Sequence, residues 1–389
     1  MRTKRRTGFT LVEMLVVVAI IALLIAILMP ALGKARDAAR VAQSLGNLRN
    51  LAAANESYAA DWSDRQFTAC ADDVGLVMGE GVEYAQVIGC MGQQLCGYDA
   101  DGRLWGWWCA GGMCGCDLPG TPCYWNSCFK YCFAPQQLEE PGYFGAFRLP
   151  TVKAFNAYVG DRWYDPVFWA PKDVQPLRIA EPFFDYPGEF TPYSPDNPVS
   201  QKVGFSSYVW SPAAMWNPEV LHHCGFQNPY GETATPGGFR SPSVGQCRFP
   251  DLKTRMIEYH WLQNAESESN PMFAGTDRSW LFSQGYNSVP ACLFFDGSIR
   301  MGSVREAMDA DARCRSGDQN GTALCSCGDG GEGCLESGLW SRGYLNEIST
   351  DHHGGGFGAA SSYDTMVGTG FHIATTNGIR GRDFLATGG

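Results

Sequence analysis

Charge is the commodity this 389-residue chain lacks: Asp, Glu, Lys and Arg together make up 18% of it, below the quarter usual in globular domains. The charge present is mostly acidic, a formal net −11 from 40 carboxylates against 29 cations. Such a balance argues against an electrostatic grip on nucleic acid, whose binders carry a basic patch or stripe, and none is expected as a partner.

The spacings that carry metal and catalytic chemistry are missing as well. No Cys-x-x-Cys occurs, which removes the commonest zinc knuckle and the thioredoxin-type redox motif. His353-Gly354-Gly355-Gly356 matches the oxyanion-loop sequence of some esterases, but such enzymes need a Gly-x-Ser-x-Gly elbow and none is present. His222-His223 with Cys224, and His352-His353, place adjacent side chains that point different ways on a strand, with no further ligands at a recognised spacing. The reading is therefore not an enzyme, with solvated loop histidines and no catalytic, cofactor or metal residues.

Cysteine, in contrast, is abundant. Sixteen cysteines suit an exported protein, and their even number suits disulfides, whose connectivity the sequence does not fix. Aromatic residues reach 13%. A weakly charged, aromatic surface suits packing against copies of the same chain and equally suits holding sugars.

The most informative stretch is the N-terminus. Arg2, Lys4, Arg5 and Arg6 precede Gly8 and Phe9, Glu13 follows four residues on, and beyond Met14 the chain is apolar to Leu32, interrupted only by Pro30. Residues 9–32 offer about 24 positions, roughly 36 Å of helix, enough to cross a bilayer core. The leading cations hold the N-terminus in the cytoplasm by the positive-inside rule, so the remainder lies across the membrane. A secretory signal is cut after its apolar core; here the candidate cut, Gly8|Phe9, precedes it, and the helix is kept. A carboxylate within an apolar segment costs on the order of 2.5–3.5 kcal/mol on insertion scales, which marks Glu13 as functional.

Basic leader, glycine, phenylalanine, a glutamate four residues on and a membrane-length helix together resemble a type IV prepilin signal, shared by pilins and type II secretion pseudopilins. The resemblance implies removal of residues 1–8 by a prepilin peptidase, N-methylation of Phe9, and pairing of Glu13 with the terminal amine of a neighbouring subunit. It also implies an inner-membrane assembly platform and partners that are copies of the chain and other pilin-like subunits.

Beyond Leu32 the helical pattern continues. Val41, Leu45, Leu48, Leu51, Ala52, Asn55 and Tyr58 recur at three- and four-residue steps, predicting one helix from about residue 9 to about 62, roughly 80 Å long. Pro30 lacks an amide donor and is expected to kink or locally open it, as the resembled filaments tolerate. The segment Leu45–Asp61 also resembles the second half of a pseudopilin helix, which implies a polar turn after it at Ser63-Asp64-Arg65.

The expected organisation is a leader (1–8), a transmembrane assembly half of the helix (9–32), a head-packing half (33–64), a β head (65–310) with a cysteine-rich insertion at about 90–132, and a Cys/Gly-rich extension (311–389). Frequent prolines between about 135 and 250 predict short strands and turns with no long helix. Val203–Trp210 and Arg255–Trp261 are strand candidates, and Tyr286–Met301 reads as a buried strand, a turn at Asp296-Gly297 and a second strand, a hairpin. The segment 286–301 also resembles the terminal hairpin of large planctomycete-type prepilin-like proteins, whose signature is a histidine, nine residues, then Asp-Gly; Tyr286 stands in the histidine's place. Acidic residues among glycines at 317–333 suggest structural calcium, but the spacing is not that of an EF-hand loop.

The fold class expected is α+β and pilin-like: a long N-terminal helix on a small antiparallel sheet, with disulfide-rich loop insertions. Its location would be the inner membrane, single-pass with the head in the periplasm, and afterwards a periplasmic pseudopilus or surface filament. A structural subunit is the expected function; the alternative is a minor or tip subunit whose large head recognises a carbohydrate or cargo.

Overall fold

The computed structural model describes residues 10–68, 96–102, 104–105, 123–124, 146–191, 206–222, 225–226, 237–258, 289–317, 338–340, 371–373 and 375–386. The chain divides into two units, Met1–Gln43 and Ser44–Gly389. Helix α1, Leu11–Asp61, supplies the described part of the first unit and opens the second. The helix is unbroken through Pro30, so the local opening expected there is not seen in the single chain.

Within the second unit the helix earns its place by a stripe. Ser44, Leu48, Leu51, Asn55 and Tyr58 are buried at alternating four- and three-residue steps, the period that keeps side chains on one face. The stripe packs into a core shared with a four-stranded antiparallel sheet, ordered β4-β7-β8-β9. Its strands are β4 (Tyr208–Trp210), β7 (Thr254–Glu258), β8 (Ala291–Phe294) and β9 (Ile299–Met301). Val209 pairs with Ile257, Ile257 with Cys292, and Cys292 with Arg300, and a register shift interrupts β7 between Thr254 and Met256. Shorter strands form two further sheets. β1 (Gly97–Tyr98), β2 (Leu104–Trp105) and β3 (Cys123–Tyr124) form one small sheet, and β5 (Leu221–His222) pairs antiparallel with β6 (Gly225–Phe226).

The predicted hairpin forms where Asp-Gly places it. Gly297 adopts φ 80°, a conformation that costs glycine nothing, and the Ser298 amide donates to Asp296 Oδ1 at 2.8 Å. β4 and β7 lie at the two strand candidates; residues 203–205 and 259–261 of those candidates lie outside the described residues. Among described residues of the proline-rich stretch the longest helix is Val174–Ala180 (α3); Lys153–Asn156 (α2) is a single turn. The sequence reading did not anticipate α4, Val304–Gly317, nor the return of the C-terminal segment, whose Phe371, Ile373 and Phe384 join the main core.

The architecture is thus α+β, a long N-terminal helix with a small antiparallel sheet. The disulfide expectation needs correcting at three positions. Cys247, Cys292 and Cys314 are free thiols; Cys292 sits within β8 and Cys314 on α4, where each packs as a small hydrophobe. Burial raises the Cys292 thiol pKa and pushes that of Cys247 up to about 11, so neither is poised for exchange. Most of the cysteine-rich insertion at about 90–132 and the run 325–334 lie outside the described residues.

Candidate assembly segment and its anchor in the head

Thr10 and Glu13 build the start of α1 together. The Thr10 amide and hydroxyl both donate to Glu13 Oε2, at 2.8 and 2.7 Å, and the Glu13 amide donates to Thr10 Oγ1 at 3.3 Å. This is a reciprocal capping box, Thr-x-x-Glu, which satisfies helix-end donors that would otherwise have no partner. A negative charge in the first turn also suits the positive end of the helix dipole. The spacing Thr10-Leu11-Val12-Glu13 carries this cap in the sequence, so Glu13 has an intrachain role beside the intermolecular one expected of it. Both bonds fall on Oε2, and a carboxylate has a second oxygen able to accept a further donor.

From Leu11 to Leu32 every leucine, isoleucine, valine and methionine is exposed on the single chain. Taking such a side chain out of water is worth about 1.5–3 kcal/mol, so a surface of this kind calls for lipid or for other apolar helices. The helix is long and apolar enough to cross a membrane. Pro30 stands within this stretch. Gly8 and Phe9, the expected processing residues, lie outside the described residues, as do Tyr286, His223, Cys224, His352 and His353. Most of the acidic glycine-rich run at 317–333 is outside them too; among the described residues no group of three or more His, Cys, Asp or Glu is placed to hold a metal.

The head grips the second half of the helix through polar bonds as well as apolar packing. Trp210 Nε1 donates to Asn55 Oδ1 at 3.1 Å, while Asn55 Nδ2 donates to the Leu51 carbonyl at 2.8 Å. Ser44 Oγ lies 2.8 Å from the Tyr208 hydroxyl and donates to Glu258 on β7. Burial next to Glu258 raises the Tyr208 pKa far above its ordinary value, so it stays a neutral phenol. Arg255, also on β7 and buried, bonds Gln66 at 2.9 Å through Nε and pairs with Glu56 of the helix.

A second polar cluster, unforeseen from sequence, fastens the C-terminal segment to β7. Lys253 Nζ donates to Ser211 Oγ, Thr375 Oγ1 and Asp383 Oδ2 at 2.8, 2.9 and 2.9 Å, which uses all three of its protons. Asp383 Oδ2 also accepts from the Thr254 amide and hydroxyl, and Oδ1 from the Thr375 hydroxyl. Because the Thr254 proton goes to Asp383, its oxygen must accept from His372 Nδ1, 2.7 Å away, which fixes the imidazole tautomer. Lys253, Asp383 and His372 are fully buried. Desolvation, then the Lys253 charge, push the His372 pKa down to about 3. Burial alone would raise Asp383, but Lys253 and the threonine bonds hold it below its ordinary value.

Comparison with known proteins reaches the first of these regions only. Residues 3–29 match the family model described as the prokaryotic N-terminal methylation motif. No curated protein and no solved structure matches the chain. The chain thus carries a prepilin-type N-terminal motif followed by a long apolar helix, as type IV pilin-like proteins do. The motif implies, in general terms, membrane anchoring, a prepilin peptidase and assembly with pilin-like subunits.

Proposed function

We propose that this protein is a structural subunit of a type IV pilus-like fibre or a type II secretion pseudopilus, cut between Gly8 and Phe9 and polymerised through α1. The observation that carries the reading is the methylation motif over residues 3–29 leading into a helix whose apolar side chains to Leu32 are all exposed. In the bilayer that surface meets lipid; in a filament it meets the same surface of neighbouring subunits. The basic leader keeps residues 1–8 cytoplasmic, and the head is carried to the periplasmic side.

The capping box fits this sequence of events. Cleavage before Phe9 retains Thr10, so its bonds to Glu13 survive processing and the helix keeps its start. The Glu13 carboxylate is then held at the end of the helix with one oxygen occupied, and its second oxygen can accept a neighbour's terminal amine. No bound cofactor is required for this role.

Replacing Gly8 with leucine tests the processing step. The bulky side chain before the cut is expected to leave the leader attached, and intact-mass measurement of the membrane fraction should show the full chain with no shortened form. Normal shortening of Gly8→Leu would contradict a prepilin-type cut at this bond.

A further inference from the structure

Just beyond its apolar span, α1 carries a girdle of cations that polymerisation leaves unexplained. Lys34, Arg36 and Arg40 all follow Leu32 within eight residues, with Asp37 as the carboxylate among them. Residues 14–43 therefore hold three cations against one anion, net +2, in a chain of net −11. Lys34 and Arg36 are exposed and Arg40 is half-buried. Among the described residues no ion pair or side-chain hydrogen bond engages any of the three.

Their depth follows from the rise of the helix. From Leu11 to Leu32 the axis climbs about 32 Å, which matches a hydrocarbon core of about 30 Å. With those apolar side chains filling the core, the Cα atoms of Lys34, Arg36 and Arg40 stand about 3, 6 and 12 Å beyond it. Helical side chains lean toward the N-terminus, so the long arginine stems reach back along the axis. All three charges thereby fall in or beside a headgroup layer about 5–8 Å deep.

The cations also surround the axis. At about 100° per residue, Lys34 and Arg36 lie about 160° apart and Arg40 about 40° from Arg36. A protein neighbour meets one face of a helix, whereas headgroups meet every face. The exposed apolar side chains before the girdle present the same all-round surface. Cations on the outer flank moreover oppose the positive-inside rule, and Arg2, Lys4, Arg5 and Arg6 must outweigh them. A role other than orientation is needed to account for them.

We infer that Lys34, Arg36 and Arg40 bind anionic phospholipid headgroups in the outer leaflet of the membrane and hold the helix at a fixed depth until it leaves the bilayer. The inference rests on the reading that α1 spans a membrane with its head outside. Arginine forks match phosphate oxygens and lysine adds a compact charge. Attraction to an anionic surface is worth about fivefold in affinity per cation. These contacts must be given up on entry into a filament, so they oppose premature extraction.

The test is photo-crosslinking of the full chain in vesicles of equal parts phosphatidylglycerol and phosphatidylcholine, with adducts resolved by mass. A photoreactive phenylalanine analogue is placed at Ala35 or, separately, at Leu24, where lipid adducts report insertion. At Ala35, phosphatidylglycerol adducts should outnumber phosphatidylcholine adducts by about fivefold or more, and combining Lys34→Gln, Arg36→Gln and Arg40→Gln should bring the ratio near parity. Raising salt from about 0.1 to about 1 M should do the same for the unaltered chain, because the screening length falls from about 10 to about 3 Å. The salt arm decides should the triple variant fail to insert. With lipid adducts present at Leu24, three results would each overturn the inference alone: near parity at Ala35 in the unaltered chain, a preference that survives salt or the triple substitution, or adducts chiefly with a second copy of the chain. Lipid adducts at neither position would overturn it together with the reading that α1 spans a membrane.

Discussion

In the single chain the Glu13 carboxylate is already engaged by Thr10, through the backbone amide and the hydroxyl. A residue that caps its own helix and also pairs with a neighbour can be dissected, because a capping box accepts Gln in place of Glu. Glu13→Gln keeps an oxygen for the Thr10 amide but removes the charge, whereas Glu13→Ala removes both. Each should ease residence in the bilayer, where a charge is costly, yet leave a neighbour's amine without its counter-ion. The expected phenotype of both variants is processed subunit retained in the inner membrane, a folded head, and fibres lost or sparse by electron microscopy. Normal fibre yield from Glu13→Gln at unchanged subunit level would reduce Glu13 to a helix cap.

At the scale of elements, legibility in the sequence tracks periodicity. Leu48, Leu51, Asn55 and Tyr58 gave away the head-packing half of α1, and Asp296-Gly297 gave away the β8–β9 turn, because in each case the signal is local. The helix α4 was missed. Its buried face is built from Val304, Ala307 and Ala310 with the carboxylate of Asp311, whose Oδ1 accepts from the Leu339 amide at 2.7 Å, so small and charged residues stand where an apolar stripe is sought. The Thr10 cap is legible too, in the Thr-x-x-Glu spacing before an apolar run. The Lys253–Asp383 tie was not legible, since 130 residues separate that pair and a charged residue reads as surface by default. The tie makes a quantitative claim about how the C-terminal segment is held. Lys253→Met leaves the Asp383 carboxylate buried without its cation and should cost about 3–5 kcal/mol, while Lys253→Met with Asp383→Leu should recover much of it. Urea unfolding of the full chain in micelles, followed by tryptophan fluorescence from buried Trp210 and Trp216, measures both; a single variant no worse than the double would show that the pair is not coupled.

For the whole molecule the buried cluster sets a pH dependence. His372 is neutral in the folded head down to about pH 3, but in the unfolded chain it takes up a proton near 6.5. Unfolding below pH 6.5 therefore binds a proton, and stability present in full above that value declines as pH falls, by up to about 1.4 kcal/mol per unit from this one group. Asp383, depressed in the fold, has the same sign and contributes only below its unfolded pKa near 4. The unfolding midpoint should be flat from pH 8 to 7 and fall between about 6.5 and 5, and His372→Asn should flatten that fall. An unaltered protein equally stable at pH 7 and pH 5 would contradict a neutral, buried His372.

The proposed function requires an N-terminal helix that is kept after cleavage and carried into a polymer. Its most direct test is mass spectrometry of the N-terminal peptide from sheared surface filaments and from purified periplasmic pseudopili. The prediction is that the polymer fraction contains this chain beginning at N-methylated Phe9. Recovery of the chain solely as membrane-bound monomer beginning at Met1, or with a terminus beyond Leu32, would contradict it.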